Sequence, residues 1–169
     1  MERKAKVFQI VGFQNSGKTT IIQEIIQYWK QHNLDVGTIK HHGHGGTPDT
    51  NIREKDSDKH LAAGAVITSV EGEGKLLIQK KCRPWSLQEI IHIYELFLLD
   101  LILVEGYKYE AYPKAVIIRN EDDKILLEKL TNIQAVISWI PLKNSLEYPI
   151  FSIKNKKLFL EWLLTKLNK

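Results

Sequence analysis

The sequence predicts a three-layer α/β fold: a mostly parallel sheet flanked by helices and joined by one β-hairpin, all in a single domain over residues 1–169. Three observations predict it. Short β-rich runs alternate with segments of helical periodicity, and the first three (residues 7–11, a helix to about His32, and residues 36–40) have the order of a βαβ unit. A glycine-containing turn joins the first run to that helix. The chain has 169 residues, 43% of them hydrophobic and 26% charged, which suffices to bury about two thirds of the unfolded surface around one core.

The first helix sets Ile21, Ile22, Ile25, Ile26 and Trp29 on one face, and Asn33 can close it in the left-handed conformation. Residues 41–51, "HHGHGGTPDTN", have the composition of a loop. Further strands are expected at residues 65–70, 75–79, 101–105, 114–119 and 135–138. "EGEG" at 71–74 joins the first two of these as a hairpin loop whose glycines permit positive φ. Such a hairpin at a sheet edge needs cover, and a second copy of the chain across a two-fold axis would supply it. Ser86 and Glu89 make a capping box that starts a helix through Leu98. Residues 155–167 read as a closing helix that packs Leu158, Phe159, Trp162 and Leu163 on the sheet.

Charge and cysteine content narrow the class. The formal net charge is +4, and residues 154–169 alone hold five lysines against one glutamate, so the excess is local to a helix end, where cations complement the dipole. A nucleic-acid groove is not expected. The single cysteine, Cys82, cannot form an internal disulfide, which fits a reducing, cytoplasmic compartment. No secretion signal and no membrane span are expected, because even "LFLLDLILV" is far shorter than the roughly 20 apolar residues that cross a bilayer.

"GFQNSGKT", residues 12–19, fits G-x-x-x-x-G-K-[ST], the P-loop, and so predicts a P-loop NTPase-like fold. Gly12 and Gly17 let the backbone turn close to phosphates. Successive N–H groups of Asn15, Ser16, Gly17, Lys18 and Thr19, with Thr20 behind them, form an anion nest at a helix N-terminus. Lys18 supplies a charge to the β- and γ-phosphates, and Thr19 offers a hydroxyl to Mg²⁺. "DLILVEG" at 100–106 is an apolar strand ending in an acid, so Glu105 emerges at the strand's carboxyl end, where ligands of open α/β sheets bind. Glu105 would bind Mg²⁺ directly or through water, or orient an attacking water. After the second strand come Lys40, His41, His42 and His44, suited to anion or substrate contact, to a Zn²⁺ site that lacks the usual cysteines or helical spacing, or to a solvated loop, while Asp49 and Asp56 are candidate second Mg²⁺ ligands. Asp56 serves equally as the N-cap of a helix ending near Gly64. The Asn-Lys-x-Asp signature of guanine recognition is absent: the nearest match, "NKKL" at 155–158, has Leu158 where the acid belongs, so GTP and ATP stay open.

These segments together resemble the MobB family. The P-loop, "IKHHGH", "KDSDKHLAAGA" and "DLILVEGYK" followed by Pro113 and Lys114 carry the resemblance, which extends over most of residues 6–153. It implies a GTP-binding protein that assists a MobA-type nucleotidyltransferase in attaching GMP to molybdopterin, with Mg²⁺, a homodimer and weak intrinsic hydrolysis at most. It further implies Lys18 and Glu105 as catalytic residues, if any. Gly12, Gly17, Lys18 and Thr19 would meet the nucleotide. Lys40, His41, Lys55, Asp56 and Ser57 would act after the second strand, and Gly106 and Lys108 beside Glu105. One departure is Glu54, where the family usually has Gly before Lys-Asp-Ser. The rival expectation is an ATP-dependent small-molecule kinase or ligase of the dethiobiotin-synthetase kind. No arginine stands near the P-loop in sequence, so hydrolysis is expected to be slow without a partner.

Overall fold

The computed structural model describes residues 4–42, 56–81, 83–143 and 147–167; Asp49, Lys55, His44, Glu54 and Cys82 lie outside them. The six strands of the main sheet are β1 (Lys6–Val11), β2 (Val36–Lys40), β5 (Leu101–Glu105), β6 (Lys114–Ile118), β7 (Ile133–Ser138) and β8 (Ile150–Ser152). They lie in the order β2-β5-β1-β6-β7-β8, and every pairing is parallel. Parallel strands need crossovers, and the helices that supply them cover both faces.

Alternation along each strand assigns the layers. Phe8 and Ile10 of β1, Leu101 and Leu103 of β5, Ala115 and Ile117 of β6, and Ala135 and Ile137 of β7 pack on one face with α1 (Lys18–Gln31) and α5 (Lys156–Leu167). Ile102 and Val104 point the other way, to α3 (Leu87–Tyr94), and Val116, Ile118 and Val136 to α4 (Ile125–Lys129). This is the three-layer α/β arrangement expected.

Local chemistry accounts for most element ends. Asn33, at φ 55°, closes α1 as its composition foretold. Ser86 caps α3 with the full box: its side chain accepts from Glu89 N–H, and the Glu89 carboxylate accepts from Ser86 N–H. The helix is shorter than expected, giving way to a 3-10 turn at Glu95–Phe97 and then to Leu98 in the left-handed region at φ 51°. In α5 the buried residues are Phe159, Leu160 and Leu163, whereas Leu158 is 53% exposed. Leu160 takes the place expected of Leu158 because the face is set by Phe151 of β8, which meets Phe159 edge to face and Trp162 at a tilt.

The hairpin differs from its expectation in two ways. Strands β3 (Ile67–Gly72) and β4 (Lys75–Lys80) form a separate antiparallel sheet instead of extending the main one. Its turn contracts to Glu73 and Gly74, at φ 50° and 76°, because the ladder continues to the Gly72–Lys75 pair. Both central residues positive in φ is the requirement of a tight two-residue turn that matches strand twist. The hairpin is tied to the body through Glu89, whose carboxylate accepts from Lys80 Nζ at 3.1 Å and Arg83 Nη2 at 2.8 Å. Before it, α2 (Asp56–Ala62) packs against β3. No helix among the described residues is long and apolar enough to cross a membrane.

Candidate functional site

The chain leaves β1 toward the β2 edge and leaves β6 toward the β8 edge, so the winding reverses beside β1, at the carboxyl ends of the strands. A crevice forms at such a point in an open parallel sheet. Here it is an open cleft of about 1080 Å³. Gly12, Asn15, Gly17, Lys18, Thr19 and Thr20 line one side, and Lys40, His41, His42 and the segment from Glu105 to Glu110 line the other.

Residues 12–17 turn tightly over the end of β1. Gly17 stands at the N-cap of α1 at φ 101°, a conformation that L side chains rarely adopt. Gly12 is pressed against the sheet: a Cβ there would lie 2.6 Å from Ser16 Oγ and 3.1 Å from the Ile117 carbonyl oxygen. Ser16 is 1% exposed and its hydroxyl finds no partner among the described residues. The α1 N-terminus carries no acidic residue in its first turn and no side-chain cap, so its N–H groups have only an external anion or water to satisfy them.

Lys18 Nζ donates to the Phe13 carbonyl at 2.7 Å and to Gly12 at 3.3 Å. Burial pushes its ammonium below the usual lysine range; Glu105 opposes that shift, and Lys108 and Lys40 reinforce it. Lys18, Lys40 and Lys108 outnumber Glu105 and Glu110 in the cleft lining, a local field that favours anions. Thr19 Oγ1 donates to both Glu105 oxygens at 3.1 Å, and Lys40 Nζ lies 3.4 Å from Glu105 Oε1. His41 packs at a tilt against Tyr107 at 4.4 Å between centroids, and Lys108 sits 4.8 Å above the Phe13 ring.

The wall opposite the P-loop is held from inside the sheet. Gln9, fully buried in β1, donates through Nε2 to the Gly106 carbonyl at 3.1 Å and the Tyr107 carbonyl at 2.8 Å. Lys114, also fully buried, donates to the Glu110 carbonyl at 2.6 Å and the Thr131 carbonyl at 2.8 Å, with its pKa lowered by burial. The far side of the P-loop has its own supports. Arg119 Nη1 donates to the Asn15 carbonyl at 2.7 Å, and Trp139 Nε1 to the Ser16 carbonyl at 3.0 Å. These two bonds fix the Asn15 and Ser16 peptide planes, and within the loop the Ser16 N–H donates to the Phe13 carbonyl at 3.3 Å. An arginine therefore does reach the P-loop, on the side away from Glu105.

Of the residues singled out from sequence, Gly12, Asn15, Gly17, Lys18, Thr19, Thr20, Lys40, His41, His42, Glu105, Gly106 and Lys108 come together at this cleft, whereas the Ser16 side chain is buried beneath the loop. Asp56 does not join them. It is the first described residue of α2, and its 87% exposed carboxylate pairs with Lys59 at 2.8 Å. Ser57 is buried in the same turn. Among the described residues no three His, Cys, Asp or Glu side chains cluster as a metal site, so a cation here would draw on Thr19, Glu105 and a bound phosphate. Gln9, Arg119 and Trp139 carry no sequence signal, since each acts across strands far apart in the chain, and Lys114 enters the sequence reading only through the family resemblance.

The MobB family model, described as molybdopterin guanine dinucleotide synthesis protein B, matches residues 7–139. A probable molybdopterin-guanine dinucleotide biosynthesis adapter protein of Bacillus subtilis is 43% identical over 135 residues, 80% of this chain and 77% of the relative. The crystal structure of a MobB homolog from Bacillus stearothermophilus is 36% identical with a TM-score of 0.75, covering 96% of this chain and 97% of its own. The structure of Bacillus subtilis MobB is 37% identical with a TM-score of 0.75 and covers 95% and 96%.

Proposed function

Because the chain belongs to the MobB family and so has a role in molybdenum-cofactor biosynthesis, we propose that it is a GTP-binding adaptor whose single domain grips Mg²⁺-GTP at the P-loop cleft. The observation that carries this reading is the meeting of Thr19 Oγ1 with Glu105 at 3.1 Å beside Lys18. Two ligands at right angles on Mg²⁺, each about 2.1 Å away, stand about 3 Å apart. The hydroxyl and carboxylate have that spacing and the hard oxygen chemistry that magnesium takes. The ion, when bound, would offset phosphate charge. Lys18 and Lys40 would hold phosphate oxygens, with Lys108, His41 and Tyr107 forming the outer wall.

Among the described residues the lining includes lysines but no arginine on the Glu105 side, which fits slow hydrolysis by the protein alone. Delivery of nucleotide or molybdopterin to a MobA-type nucleotidyltransferase in the cytoplasm fits an adaptor better than a turnover enzyme. The names of the relatives do not favour the kinase or ligase alternative. A homodimer would cover the hairpin, where Val66, Ile67, Val70 and Leu76 are exposed on a two-stranded sheet that is marginal alone.

Equilibrium binding of GTP and ATP with and without Mg²⁺ tests the proposal. GTP is expected to bind more tightly, with Mg²⁺ required, and Lys18→Ala to weaken it on the order of 10- to 100-fold, as loss of a charged hydrogen bond implies. Unchanged GTP affinity in that variant would refute the assignment.

A further inference from the structure

The two ends of the P-loop are built for different things. Toward β5 and β2 stand Glu105, Lys40 and the Thr19 hydroxyl, the groups suited to a metal and the terminal phosphates. A triphosphate seated with that polarity sends its α-phosphate, ribose and base the other way, toward the carboxyl ends of β6 and β7. There the chain places Arg119, just after β6, and Trp139, just after β7.

Trp139 is fixed along one edge. Its N–H donates to the Ile118 carbonyl at 2.9 Å, its Nε1 to the Ser16 carbonyl at 3.0 Å, and its six-membered ring lies 3.6 Å from where a Gly17 Cβ would be. Yet the residue is 50% exposed. Support of the loop needs only the N–H donor, which a small amide would supply; the open indole surface is surplus to that task. The guanidinium of Arg119 lies 6.0 Å from the ring and holds the adjoining Asn15 carbonyl, so the indole is kept rigid beside the phosphate site. A rigid, half-open aromatic next to a nucleotide cradle is a stacking surface.

Resting on the nucleotide reading above, we propose that Trp139 is the platform for the purine base, with Arg119 as a positioning residue for the loop between base and phosphates. The indole contributes stacking, which either purine would gain, while its Nε1 stays committed to the loop.

The test compares Mg²⁺-GTP with Mg²⁺-tripolyphosphate, which has the phosphates and no base, by calorimetric titration of the full chain. The wild type is expected to bind GTP more tightly than tripolyphosphate. Trp139→Ala should narrow that gap by about 5- to 100-fold, the range for losing one base-stacking contact. Trp139→Leu, which keeps more of the volume, should narrow it similarly. Trp139→Phe should preserve most of the gap while weakening both ligands through the lost bond to Ser16. Arg119→Ala should weaken both by one common factor. Equal weakening of GTP and tripolyphosphate in Trp139→Ala and Trp139→Leu, or no change in GTP, would overturn the platform. Wild type that binds tripolyphosphate as tightly as GTP would overturn the platform alone; wild type that binds neither would overturn the nucleotide reading and the platform with it.

Discussion

A methyl group added at Gly12 would stand 2.6 Å from Ser16 Oγ, 3.1 Å from the Ile117 carbonyl oxygen and 3.3 Å from Ile117 Cβ. Ile117 is fully buried in β6, which is hydrogen-bonded on both sides by β1 and β7, so that wall does not yield. Ser16 must give instead. Overpacking of this kind costs about 1–3 kcal/mol, partly offset by about 0.4–1 kcal/mol from the stiffer unfolded chain, so Gly12→Ala should lose about 1–2 kcal/mol. Ser16→Ala removes a buried hydroxyl with no partner among the described residues and should be neutral, or stabilising by up to about 1 kcal/mol. In the double variant the shortest contact is gone, leaving the 3.1 Å approach to Ile117, and a coupling of about 1 kcal/mol should remain. Urea unfolding of the four proteins measures it, and melting temperatures should follow at about 2–4 °C per kcal/mol for a chain of this size. Should Gly12→Ala cost the same with and without the Ser16 hydroxyl, the P-loop does not fold back on Gly12 as described.

Two further outcomes follow from groups outside the P-loop. Glu89 has its carboxyl pKa lowered to about 2, first by the Ser86 N–H and then by Arg83 and Lys80, against an ordinary value of 4.5. Its folded pKa lies below the unfolded one, so its contribution is whole above about pH 4.5 and fades as pH falls toward 2. Acid titration of stability should therefore be flatter for Glu89→Gln than for wild type in that window, and parallel curves would refute the anchor. Lys114→Met strands the Glu110 and Thr131 carbonyls, bonded at 2.6 and 2.8 Å, and relieves the burial of an ammonium group. A net loss of about 1–3 kcal/mol is expected, with faster amide exchange concentrated in residues 107–113; protection unchanged there would show that Lys114 does not hold that segment.

Periodicity made the central sheet, α1 and α3 legible, because strands and helices buried along one side repeat their apolar residues over several turns. It failed for α4 and β8, five and three residues long, which offer too few repeats to stand out. The P-loop was readable because its chemistry needs consecutive residues. Glu105 was readable because a strand's end is visible in sequence. Trp139 and Arg119 were not, since their bonds to the loop join positions 123 and 104 residues apart, and only the parallel sheet order brings them together. Asp56 shows the opposite case: an acid near a helix start satisfies a local partner, here Lys59, as readily as a distant ion.

The carbonyls of Asn15 and Ser16, each tethered to a different strand end, make rotation of those peptide planes costly. The entropic cost of ordering this turn is met when the sheet assembles, not when an anion arrives. An incoming phosphate would find those two peptide planes already ordered, so its capture should be fast and limited by diffusion and charge attraction, with ionic strength as the main control on the rate.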